Sequence, residues 1–193
     1  MMPSLADDPL SELLARIAAR TPAPAGGTSA AMTCAIAAAL AEMVASFQGE
    51  TGAAADAAAR AAAARRRALE LAQLDLASYR PVLEALRLPA GDPGRAAAVS
   101  AALADAADVP FELAELAAAI ATMAAELALH ASLHVVSDAS NAAVLAEAAC
   151  RSAALLVEVN LRATADPRIH SAVELTRTAA AARERALAAA GSA

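Results

Sequence analysis

Polar residues able to do chemistry are few in this chain and set among alanines; the densest group is Thr21-Pro22-Ala23-Pro24-Ala25-Gly26-Gly27-Thr28-Ser29. Pro22 and Pro24 each fix their own φ and push the preceding residue out of the helical region, so the approach is stiff. Gly26 and Gly27 permit close approaches that a side chain forbids, and Thr28 is placed to cap the helix that follows. The first turn of such a helix presents unpaired N–H groups and a partial positive charge, a seat for a carboxylate or another anion. The same residues also suit an ordinary capped connection between helices.

Asp75 is a second candidate. Its neighbours at three, four and seven positions are Leu71, Ala72, Ser78, Tyr79 and Val82, which puts a carboxylate on a mostly apolar helix face. Such a group is either hydrogen-bonded core, with Ser78 or Tyr79 as partner, or a site acid. Arg65-Arg66-Arg67 reads as a solvated face or as an attractor for an anionic ligand. All 15 basic residues are arginine; without lysine, Schiff-base and lysine general-base chemistry are excluded. His130, His134 and His170 make no ligand set with Cys34 and Cys150, so no metal is expected. The two cysteines sit in apolar helical settings and are expected as buried free thiols.

These residues must be positioned by helices. About a third of the 193 residues are alanine, aromatics make up 2%, and tryptophan is absent, a composition that favours helix over sheet. The expected fold is all-α: one domain over 1–193, a compact bundle of long Ala-rich helices. Ala-rich faces close a core poorly alone, so a second copy is expected against them, giving a homodimer. A net charge of −6 and a pI near 5.0, with no basic stripe, argue against a nucleic-acid partner. The mean hydropathy of +0.48 owes its sign to alanine. The run Ala30–Val44 carries Thr33 and Glu42 and reads as a buried helix rather than a membrane span. Residues Met1–Asp8 lack a basic region ahead of an apolar core, so no signal peptide is read and a cytoplasmic location is expected.

Asp8-Pro9 is a helix start, and Leu10, Leu13, Leu14 and Ile17 then share one face. The second helix is expected from Thr28 to Gln48, ending at Gly49 and Gly52, and the third over 53–88 with a kink at Pro81. After the break at 89–94, Asp92-Pro93 starts a helix carrying Val99, Ala102, Leu103 and Ala106. Val109-Pro110 bends or restarts it, and 111–130 continues helical. Ser137 or Asp138 caps a long helix reaching Thr164, and Asp166-Pro167 starts the last, with Ile169, Val173, Ala180 and Leu187 inward.

Three stretches together resemble the cyclodeaminase/cyclohydrolase family, which includes the formimidoyltetrahydrofolate cyclodeaminase domain and the methenyltetrahydrofolate cyclohydrolases. They are Thr-Pro-Ala-Pro-Ala-Gly-Gly-Thr at 21–28; Leu74-Asp75 through Tyr79 to Leu88-Pro89, with Val109-Pro110 downstream; and Val136-Ser137-Asp138-Ala139 running on to Val157-Glu158-Val159-Asn160-Leu161. The resemblance implies a helical homodimer acting on the one-carbon unit that bridges N5 and N10 of tetrahydrofolate. No bound cofactor is implied beyond the tetrahydrofolate derivative that is the substrate. Carried onto this chain, it implies Asp138 as acid/base, Asp75 as pterin anchor or second carboxylate, and Gly26, Gly27 and Thr28 as the anion-binding turn. Tyr79, Ser137 and Asn160 join as substrate-binding residues. His134 stands where the family carries other polar residues and reads either as a further acid/base or as a capping or surface residue. Ala25 replaces a family glycine and Leu156 an asparagine, so a helical dimer that has lost turnover and binds a ligand or partner is the alternative. Asp138 and Asn160 are 22 positions apart, about 33 Å along a continuous helix. If both serve one site, one of them comes from a second subunit.

Overall fold

The computed structural model describes residues 8–192. Eight helices occur in it: α1 (Leu10–Ile17), α2 (Gly26–Gln48), α3 (Gly52–Ser78), α4 (Arg80–Leu86), α5 (Arg95–Ala106), α6 (Asp108–His130), α7 (Val136–Leu161) and α8 (Pro167–Gly191). No strand is present among the described residues. The all-α expectation therefore stands.

Alanine forms both the helices and the contacts between them. α2 lies between α3 and α7 and also touches α6, while α6, α7 and α8 pack on one another. Their shared core holds Ala37, Ala38, Ala41, Ala61, Ala117, Ala121, Ala142 and Ala146, all fully buried, with Val44, Leu71, Leu113 and Ile120 filling the wider gaps. Methyl-on-methyl contacts let helix axes approach at the short end of the usual 8–10 Å range. The windows in Gly26–Gln48 and Arg95–His130 are long and apolar enough to cross a bilayer, yet 50% and 56% of their residues are buried inside the protein. Cys34 and Cys150 are both buried free thiols, as expected. Burial first, then the neighbouring Cys150, pushes Cys34 up to about 12, and burial first, then Glu147, pushes Cys150 up to about 11.

Several boundaries differ from the sequence reading. Asp8 does not cap α1; the preceding residue is Pro9, and the Asp8 carboxylate instead accepts from Arg16. Of the four apolar residues on α1, Leu13 is buried while Leu10 and Leu14 are exposed. The expected kink at Pro81 is a full break at Tyr79, and Pro81 sits in the first turn of α4, where its missing N–H costs nothing. Asp92-Pro93 does not start α5, which begins at Arg95 after Gly94; the Asp92 Oδ1 instead accepts from the Gly94 N–H at 2.7 Å within the turn ahead of it. α8 starts as read, with Asp166 accepting from the Arg168 N–H at 2.9 Å. Its inward face is different: Ala172, Ala179, Ala182 and Ala186 are buried, whereas Val173 and Leu187 are exposed and Ile169 and Ala180 half-buried. Close helix packing selects the small side chains for the core and leaves the larger ones at its edges.

A cleft around Asp75

α2 begins two residues earlier than its sequence suggests. Ala25 is the residue before it, and Gly26 and Gly27 are its first two positions rather than a loop. Thr28 is therefore inside the helix and fully buried, not its cap. Its hydroxyl points across to α3 and donates to Asp75 Oδ2 at 2.8 Å, and the Thr28 backbone N–H also bonds that carboxylate. The seat at the helix N-terminus is thus taken by the chain's own Asp75.

Gly27 explains how the two helices come so close. A β-carbon built there would lie 2.0 Å from Asp75 Oδ1 and 2.5 Å from its carboxyl carbon. Backbone angle is not the reason, since neither Gly26 nor Gly27 has positive φ. Gly26 has open space where a side chain would go. Of the two expected partners of Asp75, Ser78 donates to the Asp75 backbone carbonyl at 2.9 Å, not to the carboxylate.

Burial dominates the electrostatics of Asp75 and pushes its carboxyl above the ordinary range, against the two hydrogen bonds from Thr28 that favour the ionised form. A half-buried carboxyl held this way can exchange a proton closer to neutral pH than a solvated aspartate.

The carboxyl faces a cleft of about 270 Å³, bounded by the Pro22–Gly27 approach, the α3–α4 junction at Ser78 and Tyr79, and Leu156, Val159 and Asn160 near the end of α7. Tyr79 is the only tyrosine of the chain and is 40% exposed, its ring forming part of the wall. Asn160 Nδ2 donates to the Ala106 carbonyl at 3.2 Å, which ties the end of α7 to the end of α5. Ala106 and Pro110 complete the lining. The cleft is rich in apolar contacts and carries one carboxyl among a few neutral polar groups, the usual make-up of a small-molecule site.

The structure thus brings together Gly26, Gly27, Asp75, Tyr79 and Asn160, with Thr28 behind Asp75. Ser137, Asp138 and His134 do not line this cleft. α7 starts at Val136, so Ser137 and Asp138 lie in its first turn without a capping hydrogen bond from either side chain, and His134 is exposed just ahead of it. α7 is continuous to Leu161, so Asp138 and Asn160 stand at opposite ends, about 33 Å apart. Arg65 and Arg67 are neither free nor in the cleft; they pair with Glu42 and with Glu112 and Glu70. No group of three or more metal-binding side chains occurs among the described residues. Pro22, Ser78, Pro110 and Val159 lie in the stretches singled out in sequence but were given no substrate-binding role, and Ala106 was not expected at the site; small, apolar or singly polar, they carry no chemical signature of their own.

The family model of formiminotransferase-cyclodeaminase matches residues 9–179. Among solved structures, the fold is similar to that of formiminotetrahydrofolate cyclodeaminase from Thermotoga maritima, with a TM-score of 0.86 over 97% of this chain and 98% of that one at 24% identity. No curated protein matches the chain significantly.

Proposed function

Since the chain belongs to the formiminotransferase-cyclodeaminase family, we propose that it is a folate-dependent enzyme opening or closing the one-carbon bridge between N5 and N10 of tetrahydrofolate, with Asp75 as the proton carrier. The observation that supports this reading most is the Asp75 carboxyl itself: half-buried, raised in pKa by burial, fixed by Thr28, and directed into a cleft. In the hydrolytic direction Asp75 takes a proton from the water that adds to the methenyl carbon. It then returns that proton to the ring nitrogen as the C–N bond breaks, and the remaining hydroxyl proton leaves to solvent as the carbonyl of formyltetrahydrofolate forms. In the deaminating direction N10 attacks the protonated formimino carbon and gives its proton to the same carboxyl, which passes it to the amino group as the C–N bond breaks and ammonia departs. One carboxyl with one mobile proton serves both. Tyr79 offers the single aromatic surface for the pterin, and Asn160 a neutral polar contact. This reading takes the protein as a homodimer and needs no cofactor besides the folate substrate.

A second reading, a dimer that binds a ligand or partner without turnover, is favoured by Leu156, which lines the cleft where the resembled family places an asparagine. Purified protein given 5,10-methenyltetrahydrofolate decides between them through the methenyl chromophore, followed against the spontaneous rate. Accelerated loss that disappears in Asp75→Asn supports hydrolysis. Appearance of the same chromophore from formiminotetrahydrofolate supports deamination. Neither change would leave the non-catalytic dimer.

A further inference from the structure

α2 and α7 lie side by side and antiparallel, since Gly26 and Ser29 at the start of α2 share a groove with Ser152, Leu155 and Leu156 toward the end of α7. On the solvent side of the pair, each helix carries a stripe at alternating spacings of four and three. On α2 it is Ser29, Thr33, Ile36, Leu40, Met43 and Phe47; on α7 it is Asp138, Asn141, Leu145, Ala148, Ser152, Leu155 and Val159. None of these residues is buried. Ile36, Phe47, Leu155 and Val159 are 53%, 72%, 58% and 47% exposed. In a chain whose core is mostly alanine, Ile36, Phe47, Leu155 and Val159 stand at heptad spacing on the outside of this one helix pair. That is the pattern of a helix seam awaiting a partner helix.

We propose that a second copy of this chain covers the α2/α7 face about a two-fold axis lying in the plane of that face and perpendicular to the two helices, and that this brings the partner's Asp138 to the Asp75 cleft. Three features identify the occupant. First, the face is self-complementary. Small residues, Ser29, Thr33, Ala148 and Ser152, form a groove of about 360 Å³ at one end, and Met43 and Phe47 stand at the other. A two-fold turns one end over the other, so bulk falls on groove. Second, the area suffices. Ser29 to Phe47 spans about 27 Å, and two helices about 9 Å apart present a strip about 20 Å wide. The flat footprint is about 500 Å² per copy, so the corrugated surface of two copies clears the roughly 1,000 Å² expected of a specific interface. Third, the face is continuous with the cleft, because Gly26 and Leu156 line both the groove and the cleft, and Val159 belongs to both the stripe and the cleft wall.

The consequence for the site follows from the antiparallel turn. Asp138 lies on the α7 stripe at the end opposite Asn160, so laying one α7 across another in opposite directions sets the partner's Asp138 beside this chain's Asn160. The cleft, which shares Gly26 and Leu156 with the groove and Val159 with the stripe, then has a second carboxylate beside it. The two-fold supplies two such sites.

Two measurements test this, and neither needs turnover, so they are independent of the folate reading. The first is the mass of native protein by light scattering, for wild type, Ile36→Arg and Leu155→Arg, with helix content recorded alongside. The expected result is a dimer for wild type and folded monomers for the variants. A monomeric wild type, or variants that remain dimeric, overturns the proposal. The second keeps the face intact, so that it survives poor folding of the arginine variants. Asp138→Cys and Asn160→Cys are placed in the same chain and treated with a bismaleimide much shorter than α7. Crosslinking to a covalent dimer on a denaturing gel is expected for the double variant and for neither single one, with wild type unreactive because Cys34 and Cys150 are buried. A native dimer whose double variant yields no covalent dimer refutes the two-fold arrangement.

Discussion

A β-carbon on Gly27 would stand 2.0 Å from Asp75 Oδ1, so the first turn of α2 and the carboxyl of α3 are fitted to each other with no room for a methyl group. Gly27→Ala must move either the helix start or the carboxyl. The carboxyl is the softer of the two, and a displacement of about 1 Å can cost about 100-fold in rate. The expected result is a loss of that order in kcat/KM with a stability cost of about 1–3 kcal/mol for overpacking. Gly26→Ala, which meets open space, is the control. Equal losses in the two would sink the positioning role of Gly27.

Thr28→Val keeps the shape of the buried side chain and removes the hydroxyl that donates to Asp75 Oδ2. The ionised carboxylate loses a partner, so the Asp75 pKa rises further. The alkaline or acid limb of the rate profile that reports Asp75 moves to higher pH, and the protein loses about 1–3 kcal/mol at neutral pH through the poorly satisfied carboxylate. Thr28→Ser retains the donor and should show neither effect. A pH profile in Thr28→Val that overlays wild type would show that the limb belongs to another group.

Much of this arrangement is legible in sequence, and the illegible part has a common cause. Helix content, a disturbance near Pro81, the Asp166-Pro167 start and the buried cysteines all follow from local rules, though the expected kink at Pro81 is a full break at Tyr79. The role of Thr28 does not, because a threonine after two glycines looks like a cap. Only the approach of α3 shows that the glycines are helical and that Gly27 is there to admit Asp75. Likewise Val173 and Leu187 look like the inner face of α8, yet Ala172, Ala179, Ala182 and Ala186 hold it. Hydrophobic periodicity cannot rank faces when alanine occupies both. Asp138 and Asp75 both drew attention as carboxylates, and only the path of α7 showed them in different places.

Asp75 also sets a sign for the dependence of stability on pH. Its folded pKa is raised, so between the unfolded value near 3.9 and the folded value the native state holds more proton than the unfolded chain. Stability therefore falls as pH rises through that window. Asp75→Asn removes the titration, and its unfolding free energy relative to wild type should improve steadily from acid to neutral pH while turnover is lost. Chemical denaturation of both proteins across that range checks it. A difference that is flat in pH would mean that Asp75 titrates alike in both states.

Asp166 behaves in the opposite way. The Arg168 side chain, and then its backbone N–H, hold the Asp166 carboxyl down to about 2, while Arg168 also donates to the Ala104 carbonyl and pairs with Asp108. The depressed value means stability that is complete above the unfolded carboxylate pKa and disappears as pH falls toward 2. Asp166→Ala removes both the cap of α8 and this acid dependence, so its loss in melting temperature against wild type is largest at neutral pH and shrinks in acid. A deficit that stays constant down to pH 2 would assign the effect to capping geometry alone.

If the two-fold pairing of α2/α7 faces holds, each site contains Asp75 from one chain and Asp138 from the other, and the two residues can be separated genetically. Asp75→Asn and Asp138→Asn homodimers each carry a lesion in both sites. Mixing them after dissociation gives hybrids in which one site carries both lesions and the other carries none. Random exchange makes half of the dimers hybrids, so activity should recover to about a quarter of wild type from two impaired parents. Were both carboxylates supplied by one chain, every site in every hybrid would still hold a lesion and nothing would be regained. Recovery therefore identifies a shared site. Its failure, with hybrids demonstrated by mass, would leave Asp138 outside the cleft and Asp75 as its only carboxyl.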